Sequence, residues 1–89
     1  MKLKAKHILV EHEFEANDLA RKLKEGVSFE DLARDYSLCS SSRNGGDLGE
    51  FSKGMMVPAF EKALLKLKVD EISGIVKTQF GFHLIKRLL

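Results

Sequence analysis

The chain has 89 residues, of which 44% are hydrophobic and 31% are charged. This length predicts one small domain, residues 1–89, around a modest core, and the composition is that of a soluble globular protein. The net charge of +2, with both signs interspersed, excludes the strongly basic surface of a typical nucleic-acid-binding protein.

The N-terminal residues and the single cysteine predict a cytoplasmic location. Lysines at positions 2, 4 and 6 interrupt any apolar core of a signal peptide. No apolar run reaches the ~18–20 residues of a membrane span, and a lone thiol agrees with a reducing compartment. We therefore expect no membrane partner and a cytoplasmic chain, unless the domain was excised from a longer secreted protein.

The first predicted strand covers residues 2–10. Leu3, Ala5, His7 and Leu9 share one face, and the β-branched Ile8 and Val10 lie on the other. Apolar residues on both faces near the end of this strand predict a position inside a sheet and not at its edge.

Two amphipathic helices are predicted next, over residues 13–25 and 28–36. Gly26 ends the first helix, and Ser28 begins the second as its N-cap, with Asp31 in the capping-box position. Apolar residues recur at i, i+3, i+4 and i+7 in both helices. We expect the stripe of the second helix to be core: Phe29, Leu32, Ala33 and Tyr36.

Residues 37–60 join a polar loop to an apolar segment. Four serines and the run 44–47, NGGD, favour a tight exposed loop, which also carries the thiol of Cys39. A strand over 47–52, a loop over 53–57 and a helix from Pro58 to Leu67 follow. The apolar side chains of this segment predict either the rim and floor of a pocket or a loop that packs into the core.

The end of the chain predicts two strands, 74–78 and 82–89, after a polar turn over 69–73. The order β, α, α, β, α, β, β predicts an α+β fold in which helices pack on a small, mostly antiparallel sheet. Because the first and last elements are both strands, we expect His7 and His83 to be neighbours in one sheet.

His7, Cys39 and His83 leave two chemical alternatives open at this point. Two imidazoles and a thiolate are possible zinc ligands, although no CxxC or HxxxH spacing supports such a site. Cys39 with one histidine as base is the pair of a cysteine hydrolase, although no third orienting residue is evident.

Longer segments resemble the parvulin family of peptidyl-prolyl cis-trans isomerases over nearly the full chain. The segments are HILV at 7–10, FEDLARDYS at 29–37, GGDLGEFSKGMMVPAFEKA at 45–63 and QFGFHLIK at 79–86. This resemblance implies a four-stranded antiparallel sheet with about four surrounding helices, including a short helical turn near Cys39.

The resemblance also implies the site residues. The catalytic positions are His7, Cys39, His83 and Thr78, and the substrate-binding positions are Leu48, Met56, Phe60 and Phe80. Cys39 matches a position that is cysteine in some members and aspartate in others. The resemblance implies neither a metal nor another cofactor.

The resemblance implies an enzyme that catalyses rotation about X–Pro peptide bonds and so assists protein folding. Its expected substrates are proline-containing peptides and unfolded or partly folded proteins, and the enzyme is expected to be a monomer. The alternative is a catalytically weak module that holds unfolded chains. Phospho-specific members carry a basic cluster after the first strand, whereas this chain has Glu11, His12 and Glu13. An acidic rim repels a phosphate dianion, so we expect an isomerase that does not require phosphorylation.

Overall fold

The strand β1 (Lys2–Val10) lies inside a four-stranded antiparallel sheet of order β2-β1-β4-β3. The computed structural model describes residues 2–89. The other strands are β2 (Asp47–Ser52), β3 (Val76–Thr78) and β4 (Gly81–Arg87). The helices are α1 (Glu13–Lys24), α2 (Phe29–Tyr36), α3 (Pro58–Leu65) and a 3-10 helix (Ser40–Asn44).

The central position of β1 follows from its two apolar faces. Ile8 and Val10 pack with buried residues of α1 and α2, such as Leu19 and Phe29. Leu3 and Ala5, on the opposite face, pack with buried residues of α3. The sheet therefore separates two small cores, each of which buries one face of β1.

The two terminal strands are hydrogen-bonded neighbours, as the sequence predicted. In the antiparallel register of β1 and β4, His7 lies opposite Ile85, and Leu9 lies opposite His83. The two histidines are therefore on adjacent strands, offset by two residues. The predicted neighbourhood of His7 and His83 is confirmed.

The predicted order of elements is confirmed, with shifts at several ends. β3 begins at Val76 and not at residue 74, β4 ends at Arg87, and α3 ends at Leu65. The implied helical turn near Cys39 is the 3-10 helix, so three α-helices and this turn make up the expected set of about four.

The prediction that Tyr36 is core was wrong. Its side chain is 48% exposed, whereas Phe29, Leu32 and Ala33 are buried as expected. Tyr36 is the last residue of α2, and its ring lies under the Lys22 ammonium, 4.8 Å from the ring centroid. Lys22 Nζ also donates to the Tyr36 hydroxyl at 3.3 Å, so this aromatic ring keeps its polar end in solvent.

Candidate active site

Two buried imidazoles from opposite ends of the chain form a hydrogen-bonded pair. The Nδ1 atoms of His7 and His83 are 3.1 Å apart, and the rings are stacked with centroids 5.3 Å apart. The residues are 6% and 3% exposed. A bond between two Nδ1 atoms requires one N–H donor and one lone-pair acceptor, so the two rings hold opposite roles in it.

Thr78 extends this pair toward the β3–β4 turn. Its Oγ1 lies 2.7 Å from Nε2 of His83 and accepts the backbone N–H of Phe80 at 3.2 Å. At the other end of this hydrogen-bond network, Nε2 of His7 is buried and has no hydrogen-bond partner in residues 2–89. The orientation of His83 is thus set from two sides, whereas His7 keeps one free polar atom.

Burial keeps both imidazoles neutral at neutral pH. Desolvation, followed by repulsion from His83, lowers the pKa of His7 from 6.5 to about 4. Desolvation also lowers the pKa of His83. Because a buried imidazolium lacks hydration, the neutral pair is the form that this environment favours.

The Gly45–Gly46 turn holds the backbone of His7. The N–H of His7 donates to the carbonyl of Gly46 at 3.0 Å. Gly46 has φ +88°, and a Cβ atom there would lie 2.5 Å from the His7 carbonyl oxygen and 3.0 Å from Cβ of Ala33. Only glycine permits both this conformation and this close approach.

Two hydrogen bonds tie the serine-rich loop to β1 beside the histidines. The N–H of Leu38 donates to the carbonyl of Leu9 at 2.8 Å, and the N–H of Leu9 donates to the hydroxyl of Ser37 at 3.0 Å. Cys39 follows directly, half-buried, and is the N-cap of the 3-10 helix. The loop therefore carries the thiol to the same end of β1 as His7.

These elements enclose a cavity of about 390 Å³ in front of the histidine pair. Its wall is almost entirely apolar apart from the two imidazoles and the thiol. The ring of the buried Phe60, on α3, meets both imidazoles edge-on, with centroids 5.6 Å from His7 and 5.5 Å from His83. The pocket interpretation of residues 37–60 is therefore confirmed, and the alternative of a loop that only packs into the core is not.

Seven of the eight predicted site residues line this cavity, and one lies behind it. The lining residues are His7, Cys39, Leu48, Met56, Phe60, Phe80 and His83. Thr78 does not line the cavity and reaches it only through its bond to His83.

Sequence reasoning left three lining residues out of the predicted site: Leu9, Met55 and Val57. A signal for each was present. Leu9 shares the strand face of His7, and Met55 and Val57 belong to the apolar segment after the serine-rich loop. Met55 is 68% exposed and Phe80 is 60% exposed, which places two large apolar side chains at the mouth.

The two chemical alternatives find no support in this geometry. No three His, Cys, Asp or Glu side chains of residues 2–89 are grouped to hold a metal ion. No hydrogen bond in the same residues joins the Cys39 thiol to either imidazole. His7, with a pKa of about 4, is also a weak base for activating a thiol.

Comparisons with known proteins agree on one family. The family model described as PPIC-type PPIase domain matches residues 1–88. The foldase protein PrsA of Bacillus subtilis is 52% identical over 87 residues, which are 97% of this chain and 30% of that protein. PrsA of Caldanaerobacter subterraneus is 51% identical, over 94% of this chain and 28% of that protein.

Solved structures give the same result for the fold. The peptidylprolyl isomerase PrsA of Bacillus anthracis has a TM-score of 0.96 and 46% identity, over 98% of this chain and 41% of that chain. NmPin, the parvuline of Nitrosopumilus maritimus, has a TM-score of 0.86 and 47% identity, over 99% of this chain and 96% of that one.

This chain therefore spans less than a third of the PrsA foldases that it matches. Among residues 2–89, none of the helices has the length and hydrophobicity of a membrane-spanning helix. Since the family model covers nearly every residue, the chain belongs to the parvulin-type (PPIC-type) peptidyl-prolyl cis-trans isomerase domain family.

Proposed function

We propose that this domain catalyses cis-trans isomerisation of X–Pro peptide bonds without forming a covalent bond to its substrate. The observation that carries the proposal is the apolar cavity with the neutral pair of His7 and His83 at its back. The substrates are proline-containing peptides and unfolded or partly folded proteins, as the name foldase of the PrsA relatives also suggests.

The chemical task is to lower a torsional barrier. Amide resonance resists rotation by ~18–20 kcal/mol, and uncatalysed X–Pro isomerisation takes roughly tens to hundreds of seconds. At the twisted midpoint the C–N conjugation is lost, the carbonyl oxygen carries less negative charge, and the proline nitrogen regains its lone pair. An enzyme needs only about 1.36 kcal/mol of preference for this midpoint per tenfold gain in rate.

An apolar cavity supplies such a preference because the planar amide is the more polar state. Phe60, Met56 and Leu48 are the side chains proposed to hold the proline ring while the preceding residue swings. The neutral imidazoles add polarity without a net charge, so they do not attract the planar amide dipole strongly. The exposed Phe80 and Met55 then contact residues that flank the proline.

Cys39 and Thr78 have supporting roles in this proposal. The Cys39 thiol faces the cavity and tunes its polar side, and it is not a nucleophile. The Thr78 hydroxyl orients His83 through the 2.7 Å contact to Nε2. Both roles agree with the parvulin resemblance, in which the position of Cys39 is occupied by cysteine or aspartate.

Exchange NMR on a short Ala-Pro peptide tests the proposal against the binding-module alternative. Line broadening of the cis and trans signals at catalytic amounts of the domain is the expected result. Phe60→Leu is expected to reduce this exchange strongly, because it removes the ring that meets both imidazoles, whereas Phe14→Leu, at a residue 63% exposed, leaves it unchanged. Peptide shifts that appear only at stoichiometric amounts would instead support a holding module.

Three further expectations stay predictions. These are a monomeric state, the absence of nucleic-acid and membrane partners, and the cytoplasmic location, which assumes that the domain is not part of a longer secreted foldase.

A further inference from the structure

A second concave surface lies between α3 and the segment that leads into β3. We call it the α3–β3 groove; it has a volume of about 450 Å³ and is lined by Ala59, Lys62, Ala63, Lys66, Leu67 and residues 73–76. It shares no lining residue with the cavity in front of the histidines. The catalytic proposal therefore makes no use of it.

The floor of the α3–β3 groove is apolar and accessible. Ala59 and Ala63 are one helical turn apart on α3, and their small side chains leave the helix surface open to close approach. Leu67, Ile75 and Val76 border them and are only partly buried. A side chain of leucine or valine size can bury apolar area here without displacing any part of the fold.

The rim of the groove carries two positive charges that form no ion pair in the described part of the chain. Lys62 and Lys66 are spaced i, i+4, and neither ammonium lies within 4.0 Å of a carboxylate in the described part of the chain. Asp70, the acidic residue nearest to Lys66 in sequence, makes no ion pair within 4.0 Å in residues 2–89. Glu61 accepts the N–H of Gly54, and Glu71 accepts the N–H of Lys68. The groove lining itself contains no acidic side chain.

The groove also borders an open sheet edge. β3 is the last strand in the order β2-β1-β4-β3, so its outer side pairs with no strand of residues 2–89. An extended segment can add to such an edge through main-chain hydrogen bonds and direct alternate side chains into the adjoining groove. The edge therefore favours an extended occupant over a helical one.

From these observations we propose that the α3–β3 groove binds an extended acidic polypeptide segment. Its apolar side chains fill the floor over Ala59 and Ala63, and its carboxylates pair with Lys62 and Lys66. The occupant needs no proline. The domain then contacts an acidic client or partner chain at two separate places: the cavity for the X–Pro bond and the groove for a neighbouring segment.

A peptide titration followed by amide NMR of the ¹⁵N-labelled chain tests this proposal. The probe is acetyl-Glu-Val-Asp-Leu-Glu-amide, which lacks proline, and its matched control is acetyl-Gln-Val-Asn-Leu-Gln-amide. We expect saturable shifts at Ala59 and at residues 61–67 and 73–77 with the acidic peptide at millimolar concentration, and weaker ones with the neutral peptide. Added salt weakens the acidic peptide's binding, because exposed charges are screened.

Charge reversal identifies the residues responsible. Lys66→Glu is expected to lower the affinity for the acidic peptide about fivefold, since an exposed ion pair is replaced by repulsion. Lys2→Glu makes the same change of charge on β1, at a residue that is paired with Ser52 of β2 and does not line the groove, and should leave binding unchanged. Isomerase exchange on the Ala-Pro peptide should be unaffected by Lys66→Glu, which separates this proposal from the catalytic one.

Four results would overturn the proposal. They are the absence of saturable shifts, equal binding of the acidic and neutral peptides, shifts confined to the cavity residues, and equal weakening by Lys2→Glu and Lys66→Glu.

Discussion

Acidification is predicted to destabilise the domain through His7. Its pKa is lowered from 6.5 to about 4 by burial and by His83, so between these pH values the unfolded chain binds a proton that the folded chain does not. The free energy of unfolding therefore falls as the pH decreases through this window. The full difference corresponds to about 3 kcal/mol, and the slope near pH 5 is about 1.2 kcal/mol per pH unit.

Urea unfolding at a series of pH values from 8 to 4 measures this slope. The His7→Leu protein has no titrating group at this position. Its free energy of unfolding should therefore depend less steeply on pH, by about 1.2 kcal/mol per pH unit near pH 5. His12→Gln removes instead a histidine whose side chain is 58% exposed, and it is the matched control for the loss of an imidazole. His83, whose pKa burial also lowers, contributes in the same direction in all three proteins.

Comparing the pH dependence of the parent protein with that of His7→Leu separates the contribution of His7 from the contributions of the carboxylates. Glu30, whose pKa is lowered by its bond to Lys6, loses its contribution only as the pH falls below about 4.5, and it does so equally in each protein. Parallel curves for the parent protein and His7→Leu would refute the reasoning, because they would mean that His7 is not held neutral by the fold.

Three further predictions concern the turn, the hydroxyl and the acidic rim. Gly46→Ala should lower the free energy of unfolding by about 3 kcal/mol in urea titrations, because a Cβ atom there meets the His7 carbonyl oxygen at 2.5 Å. Gly49 has a similar positive φ of 72°, but the space around its Cβ position is open, so Gly49→Ala should lower the free energy of unfolding by only about 1 kcal/mol. Equal losses would show that the close approach to His7 is unimportant. Thr78→Val should cost about 1–3 kcal/mol and reduce the exchange rate of the Ala-Pro peptide, since His83 Nε2 and the Phe80 N–H both lose their partner; unchanged stability and rate would remove Thr78 from the site. A phosphorylated Ser-Pro peptide should be isomerised several-fold more slowly than the unphosphorylated Ser-Pro peptide. Glu11→Lys should reduce the difference between the two rates, because it removes an exposed carboxylate after β1. Faster isomerisation of the phosphorylated peptide would contradict this prediction.

Much of the fold was predictable because local patterns and long-range pairing agree here. The two apolar faces of residues 8–10 predicted an interior strand, and the strand character of both ends predicted that His7 and His83 are neighbours. That contact joins residues 76 positions apart, and it follows from β1 and β4 being adjacent in one sheet. The turn signals around Gly45 and Gly46 also marked the correct loop.

The rest depends on tertiary geometry that periodicity does not contain. The exposure of Tyr36 is decided by where α2 ends and by the position of Lys22 on another helix. The helical turn near Cys39 and the place of Thr78 in the site came from the parvulin resemblance and not from the residue pattern. The sequence pattern placed Leu9 on the strand face of His7 and Met55 in the apolar segment, but only the closure of the loop and α3 over β1 makes both residues line the cavity.

The exchange rate of the Ala-Pro peptide with Cys39→Asp tests the central claim most directly. The account holds that the cavity and its imidazole pair lower the rotational barrier without a covalent bond from the thiol. It predicts that Cys39→Asp, confirmed as folded by its amide NMR spectrum, retains much of the catalysed exchange. A folded Cys39→Asp protein that binds the peptide but no longer accelerates its exchange would contradict the account.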